Sequence, residues 1–320
     1  MIASVLHRAA GLTIAADRPL PGFVVLPNPS SHVPSPQADV RFHLAQRPSW
    51  RAAAAVLHRA DSDHTSGDPV VIVSRSADGF HFAYADGTHV WIDATGTNVW
   101  CTWPPSASLD DTCTYLYGPV LGLVLRVRGL LTFHASAVQF GSGVIGFAGP
   151  HGAGKSTLAA ALGTRGCAVV TDDILRVRVE GSQWLAEPFA SMLKLWPAGA
   201  ELALRRSDLP RIADGWNKRA LALGSGIPAV EGALPLAALA CLSEPAERAA
   251  IAPLSPATAL VRLAGNTSAA HLLDRDMRAA EFRALSALVR DVPCVAIAPP
   301  AHPRDHARFV DDVVAWGQAR

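Results

Sequence analysis

Between residues 70 and 96 apolar and polar positions alternate in three short runs, VVIVSRS (70–76), FHFAYADG (80–87) and HVWIDATG (89–96). Successive strand side chains point to opposite faces, so period-two alternation closed by D-G or T-G pairs predicts antiparallel strands joined by tight turns. With the Pro- and Gly-rich stretches around them, these runs predict a small β-rich domain over residues 1–112. Within it, PNPSSHVPSPQ (27–37) has the composition of a surface loop. From about residue 116 long apolar segments alternate with glycine-punctuated strands. LYGPVLGLVLRVRG reads as a helix, LTFHASAVQF and GVIGFAG as strands, KSTLAAALGTRG as a helix closed by Gly166, and CAVVTDD as a short buried strand. Strand, loop, helix and strand in that order make a βαβ unit and an α/β second domain over 113–320. Further on, Ser255 and Pro256 mark a helix start. Met277, Phe282, Leu285, Leu288 and Val289 fall at helical spacing and are expected in the core, VPCVAIA reads as a strand, and RDHARFVDDVVAWGQ as a closing amphipathic helix.

Composition narrows the function classes. Half of the 320 residues are hydrophobic, enough for two domains with sizeable cores. Lys plus Arg number 28 against 27 Asp plus Glu. A net charge of +1 creates no global field, so neither nucleic acid nor an anionic membrane is an expected partner. The five cysteines (Cys101, Cys113, Cys167, Cys241, Cys294) are odd in number and lack C-x-x-C spacing, which favours reduced thiols over a disulfide framework or a zinc site. His7, Arg8, Asp17 and Arg18 interrupt the first apolar stretch, which therefore lacks the core of a secretion signal. Arg126 and Arg128 break the most apolar later run short of the roughly 20 residues a membrane span needs. A soluble cytoplasmic protein is expected, with self-association left open.

Candidate chemistry concentrates in GPHGAGKST (149–157). Gly149, four residues, Gly154, Lys155 and Ser156 complete the G-x-x-x-x-G-K-[ST] phosphate loop between a predicted strand and helix, the context that motif requires. Gly149, Gly152, Ala153, Gly154, Lys155, Ser156 and Thr157 are therefore the expected ATP-binding residues. Backbone amides and the helix N-terminus would face the phosphates, Lys155 would add a point charge, and Ser156 a Mg²⁺ ligand. After one helix and one strand, Asp172 and Asp173 return to the loop. Two adjacent carboxylates near phosphates should titrate as a coupled pair with one proton affinity raised, which suits a base; alternatively one holds Mg²⁺, Asp173 being the candidate beside Ser156, while the other caps a turn. His134 in FHASAV is either a satisfied core histidine or a group that orients the carboxylates. In WNKRALAL (216–223), Lys218 and Arg219 either reach a transferring phosphoryl group or sit on a solvated strand edge. A guanine-binding N-K-x-D reading fails at Ala220, and no L-S-G-G-Q-like stretch supports an ABC-type ATPase.

His134, GPHGAGKST and TDD in this order resemble the HPr serine kinase family. GLTIAADRPLPGF and LKLWP are similar to segments of its HPr-kinase-like members encoded beside lasso-peptide genes. The resemblance implies a P-loop kinase core of the HPr kinase and phosphoenolpyruvate carboxykinase type over 113–320, with the smaller β-rich domain before it. It also implies ATP and Mg²⁺, Lys155 and Ser156 on the phosphates and metal, Asp172 as the base, Asp173 assisting, and His134 supporting Asp172. Thr157 stands where an acidic residue is usual, and the R-G-L-G segment of HPr kinases is missing. The implied acceptor is accordingly a serine hydroxyl of a precursor peptide. A small-molecule kinase and an ATP-binding switch without phosphoryl transfer are the alternatives.

Overall fold

The computed structural model describes residues 4–27, 37–50, 55–60, 71–189, 191–214, 216–224 and 226–320, so residues 28–36 of the expected surface loop lie outside the described residues. The chain divides into two compact units, Met1–Arg128 with Ile212–Asn217, and Gly129–Arg211 with Lys218–Arg320. The change of unit falls at Arg128, later than the change in sequence pattern near 112, because the apolar helical run belongs with the β-rich part.

Among its described residues the first unit holds nine strands: β1 (Val5–Ala9), β2 (Leu12–Ala16), β3 (Val24–Val25), β4 (Val40–Leu44), β5 (Ala55–Ala60), β6 (Val71–Arg75), β7 (Gly79–Tyr84), β8 (His89–Asp93) and β9 (Asn98–Thr102). They form one sheet in the order β3-β1-β2-β4-β9-β8-β7-β6-β5. The alternating runs supply its β6–β7–β8 meander, residue 70 lying outside the described residues. One face buries Phe42, Leu44, Phe80, Phe82, Val90, Ile92 and Val99. The other carries stacked rings, His43 on Trp100 and His81 on Trp91. Helix α1 (Leu109–Tyr115), a π-helical turn around Pro119 and helix α2 (Leu121–Val127) follow. Ser108 and Asp111 form a capping box that starts α1. Tyr115 stacks on Tyr84 at 3.8 Å and contacts Trp216, which ties the short 212–217 segment to this unit.

In the second unit β10 (Leu131–Phe140) runs antiparallel to β11 (Gly143–Ala148), which leads into the glycine-rich loop and α3 (Lys155–Gly163). Helix α3 ends three residues before Gly166, whose φ of +86° takes the left-handed turn beyond it. β12 (Val169–Thr171), β13 (Ile174–Glu180) and β14 (Gln183–Glu187) come next. β15 (Met192–Leu195), α4 (Pro197–Leu204) and β16 (Arg219–Ala222) form a side layer in which β15 pairs with β16. β17 (Leu234–Leu242), β18 (Ala250–Pro253), α5 (Pro256–Ala264), α6 (Arg275–Asp291), β19 (Cys294–Ala298) and α7 (His306–Gln318) complete the chain. Pairings β10–β11, β10–β13, β13–β14, β14–β17 and β17–β11 close on themselves. β10 pairs with both β11 and β12, so it lies between the two strands of the βαβ unit.

Both faces of β11 are covered, which is why GVIGFA is continuously apolar rather than alternating. Ile145 and Phe147 pack with Leu158 and Leu162 of α3 and Phe309 and Val310 of α7. Val144 and Ala148 pack with Leu263 of α5 and Leu285 and Leu288 of α6. Phe282, expected in the core from its spacing, is instead 60% exposed, since α6 turns only the Leu285–Leu288–Val289 stripe inward. Among the described residues no helix is long and apolar enough to cross a membrane.

Gly146, three residues before the phosphate loop, has no room for a side chain. An added Cβ would lie 2.5 Å from Leu175 Cδ2 and 2.8 Å from Leu239 Cδ2, both wholly buried. Gly146→Ala should therefore destabilise the protein by roughly 1–3 kcal/mol, the usual cost of overpacking. Denaturant unfolding should show a lower midpoint at unchanged slope, and an unchanged midpoint would mean that the two leucines repack freely.

Candidate active site

The loop from β11 to α3 is shaped by its glycines. Gly152 (φ +80°) and Gly154 (φ +88°) adopt left-handed backbone that a side chain disfavours, and Gly154 is the N-cap of α3. Lys155 is the first residue of that helix and is 6% exposed. Its Nζ donates to the carbonyls of Gly149 (2.8 Å) and Pro150 (2.9 Å), so the ammonium is folded back over its own loop. Burial pushes the Lys155 amine down to about 8, against the pull of Asp173 and Asp172. Such a group gains most from an arriving anion. Thr157 packs against α4, where a Cβ on Gly199 would lie 2.6 Å from its hydroxyl.

Asp172 follows β12 and is wholly buried. Its Oδ1 accepts from the hydroxyls of Ser136 and Ser156, both at 2.8 Å, and its Oδ2 from the Lys194 amide at 2.9 Å. Burial, then the like charge of Asp173, raises its proton affinity above the ordinary carboxylate value. Asp173, the next residue, stands at φ +72° with its side chain 19% exposed and ion-paired to the Lys194 ammonium. Burial alone would raise its pKa, but Lys194, then Lys218 and His134, outweigh that and hold the carboxyl below the usual range. The pair thus splits into one carboxylate locked inside and one ionised carboxylate facing out.

His134 lies on β10, opposite Ile174. Its Nδ1 donates to the main-chain carbonyl of Asp173 at 3.2 Å, not to either carboxylate, which leaves Nε2 as the acceptor of the neutral ring. Burial first, and Lys155 second, push the imidazole down to about 4. Lys218 sits 5.3 Å from the Trp196 ring centre, in cation–π range. Arg219, in register with Leu195 at the start of β16, is not among the residues that line the cleft. His134, Lys155, Ser156, Asp173, Lys194 and Lys218 line one open cleft of about 490 Å³, solvent in its mouth included, with Gly152, Gly154, Thr157 and the exposed His151 at the loop side. Three ammonium groups face one carboxylate there, a balance suited to a polyanion.

Ser136, Lys194 and Trp196 belong to the site although neither the loop motif nor the acidic pair marks them. Ser136 shares a strand face with His134 two positions away, Lys194 is the lone base among apolar residues in LKLWP, and Trp196 follows it at the same spacing. That period-two placement was the available signal. Ser156, its hydroxyl fixed from behind by the buried Asp172, offers a hard oxygen donor in the cleft, which fits Mg²⁺ when phosphates supply further ligands. Asp173, the carboxylate expected on the metal, is committed to Lys194. Among the described residues no group of three or more His, Cys, Asp or Glu side chains could by itself hold a metal.

No family model matches the chain, and no curated protein matches it. Among solved structures it is similar to the HPr(Ser) kinase/phosphatase from Coxiella burnetii, at 13% identity over 59% of this chain and 93% of that one, with a TM-score of 0.31.

The neutral His134 gives a measurable consequence. Its folded pKa is below the ordinary 6.5, so the unfolded chain takes up this proton first and stability is lost as pH falls from about 6.5 towards 4. NMR titration of the ring should show a midpoint near 4. His134→Asn should lose less stability than wild type between pH 6.5 and 4.5, by on the order of 1–2 kcal/mol. A midpoint near 6.5 would contradict this environment.

Proposed function

We propose that this protein is an ATP-dependent kinase that transfers the γ-phosphoryl group to a hydroxyl, specifically a serine of a lasso-type precursor peptide, in the cytoplasm. The observation that supports it best is the placement of the phosphate-loop lysine and one ionised carboxylate, Asp173, in the same cleft. A nucleotide-binding switch needs no carboxylate aimed at an acceptor. The peptide and its serine rest on the resemblance of GLTIAADRPLPGF and LKLWP to the lasso-type members and on the missing R-G-L-G segment, and the openness of the cleft leaves room for a chain.

In this reading the loop amides and the α3 N-terminus bind the phosphates, and Lys155 moves from its own carbonyls onto them. Ser156 would hold Mg²⁺, which would neutralise charge on the phosphates when bound, while Asp172 fixes the Ser156 hydroxyl from behind. Asp172 has both oxygens engaged and no exposed surface. We therefore give the base role to Asp173, the reverse of the division the resemblance implies. Asp173 accepts the hydroxyl proton as the acceptor oxygen bonds to the γ-phosphorus and the bond to the leaving ADP oxygen breaks with its electron pair. Phosphoryl transfer passes through a loose transition state, so a weakly basic carboxylate in the right place suffices. His134, through the Asp173 carbonyl, holds the backbone that aims it.

Lys155→Ala should abolish transfer and weaken Mg·ATP binding together, because the lysine acts in ground and transition states alike. Full activity of that variant would remove the loop from the mechanism. Asp173→Asn should leave Mg·ATP affinity within a few-fold while slowing transfer by roughly 10²–10⁴, the usual contribution of a positioned base. Asp172→Asn should weaken Mg·ATP in proportion to its loss of rate. Calorimetric titration beside single-turnover transfer separates the two, and the opposite pattern would restore Asp172 as the base. Mass spectrometry of a candidate peptide incubated with ATP should show one added phosphate, lost when the serine becomes alanine. Phosphorylation of free metabolites alone would favour a small-molecule kinase, and ATP binding without transfer a switch.

A further inference from the structure

We infer that Lys194 is the positioning residue of the acidic pair: its backbone fixes Asp172 and its ammonium holds Asp173 aimed into the cleft. This inference rests on the kinase reading above.

Lys194 is built to be immobile. Its strand neighbours Leu193 and Leu195 are 0% and 1% exposed and pack in the α3 core. β15 is further pinned by its pairing with β16, Leu193 opposite Leu221 and Lys194 opposite Ala220. Strand alternation then turns Lys194 away from the leucines and towards the cleft, where its side chain is only 9% exposed. A lysine side chain in water samples many rotamers, and ordering one there carries a large entropy cost. Here the strand has already restricted it.

The backbone and the side chain of Lys194 reach different carboxylates. The amide donates to Asp172 Oδ2 at 2.9 Å, while the ammonium pairs with Asp173 Oδ2. One rigid residue therefore sets the spacing between the carboxylate behind Ser156 and the carboxylate facing the acceptor. Asp173 needs such a restraint, since its φ of +72° lies where residues other than glycine are uncommon. With Oδ2 on the ammonium, Oδ1 is the oxygen that takes the acceptor's hydrogen. The bonds made and broken are those of the transfer itself: acceptor oxygen to γ-phosphorus formed, γ-phosphorus to ADP oxygen broken, and the proton passed to Asp173. Lys194 exchanges no proton in this step. The amide contact survives any side-chain substitution, so a variant removes the ammonium and leaves that hydrogen bond to Asp172 in place.

The test uses the full chain with Mg·ATP. Single-turnover phosphate release to water and transfer to a serine-bearing peptide are both followed, so the readout does not depend on knowing the natural acceptor. Lys194→Met should slow both by roughly 10²-fold, comparable to loss of one preorganised electrostatic contact. Its Mg·ATP dissociation constant should stay within about threefold of wild type, because phosphates are held by the loop and Lys155. Lys194→Arg should recover most of the rate. Combined with Asp173→Asn, Lys194→Met should slow the reaction no further, since a residue acting through another is not additive with it. A wild-type rate in Lys194→Met, a parallel loss of affinity, or multiplicative losses in the double variant would each overturn the inference while leaving the kinase reading intact. A wild type that binds Mg·ATP yet transfers phosphate to neither acceptor overturns both. Should Lys194→Met fail to fold, Lys194→Gln set against Lys194→Arg decides on the same criteria.

Discussion

A single buried carboxylate organises the second unit. Asp172 has no exposed surface, and an ionised group so placed is tolerated only when its lone pairs are occupied. Its three partners come from three separate elements: Ser136 from β10, Ser156 from the first turn of α3, and the Lys194 amide from β15. These contacts join β10, the helix after the glycine-rich loop and the side layer. Loss of any of them leaves part of a buried charge unsatisfied, so the three elements are held in register by the same requirement.

The strain next to this node has a structural reason. Once Asp172 is turned inward, the chain reverses at once to start β13, and the turn puts Asp173 at φ +72°. Aspartate tolerates the left-handed region better than most residues. Its backbone carbonyl also accepts from the His134 ring and, at 3.3 Å, from the Ala135 amide. The side chain is thereby sent the opposite way from that of Asp172, into a cleft with three lysines. Adjacent residues of one type thus acquire opposite proton affinities from position alone.

Much of this was legible in the sequence. The alternating runs of the first unit, the strand–loop–helix around residues 143–163 and the acidic pair closing a short strand all depend on local patterns, where periodicity and glycine placement decide the conformation. Other strands were not legible in this way. β17 reads LPLAALACL, an apolar run too rich in alanine to separate strand from helix, and it becomes a strand because β11, β14 and β19 surround it.

The sequence by itself placed a glycine-rich loop and two carboxylates at one end of the sheet, since short connections between neighbouring strands bring them together. Only the tertiary structure decided which carboxylate faces solvent, that His134 joins them and meets a carbonyl, that Arg219 stays out of the cleft lining, and that Lys194 joins the site from 21 residues beyond Asp173. Those outcomes turn on burial and on cross-strand register. Neither is carried by the spacing of residues along the chain, because both are set by which elements come to lie beside one another.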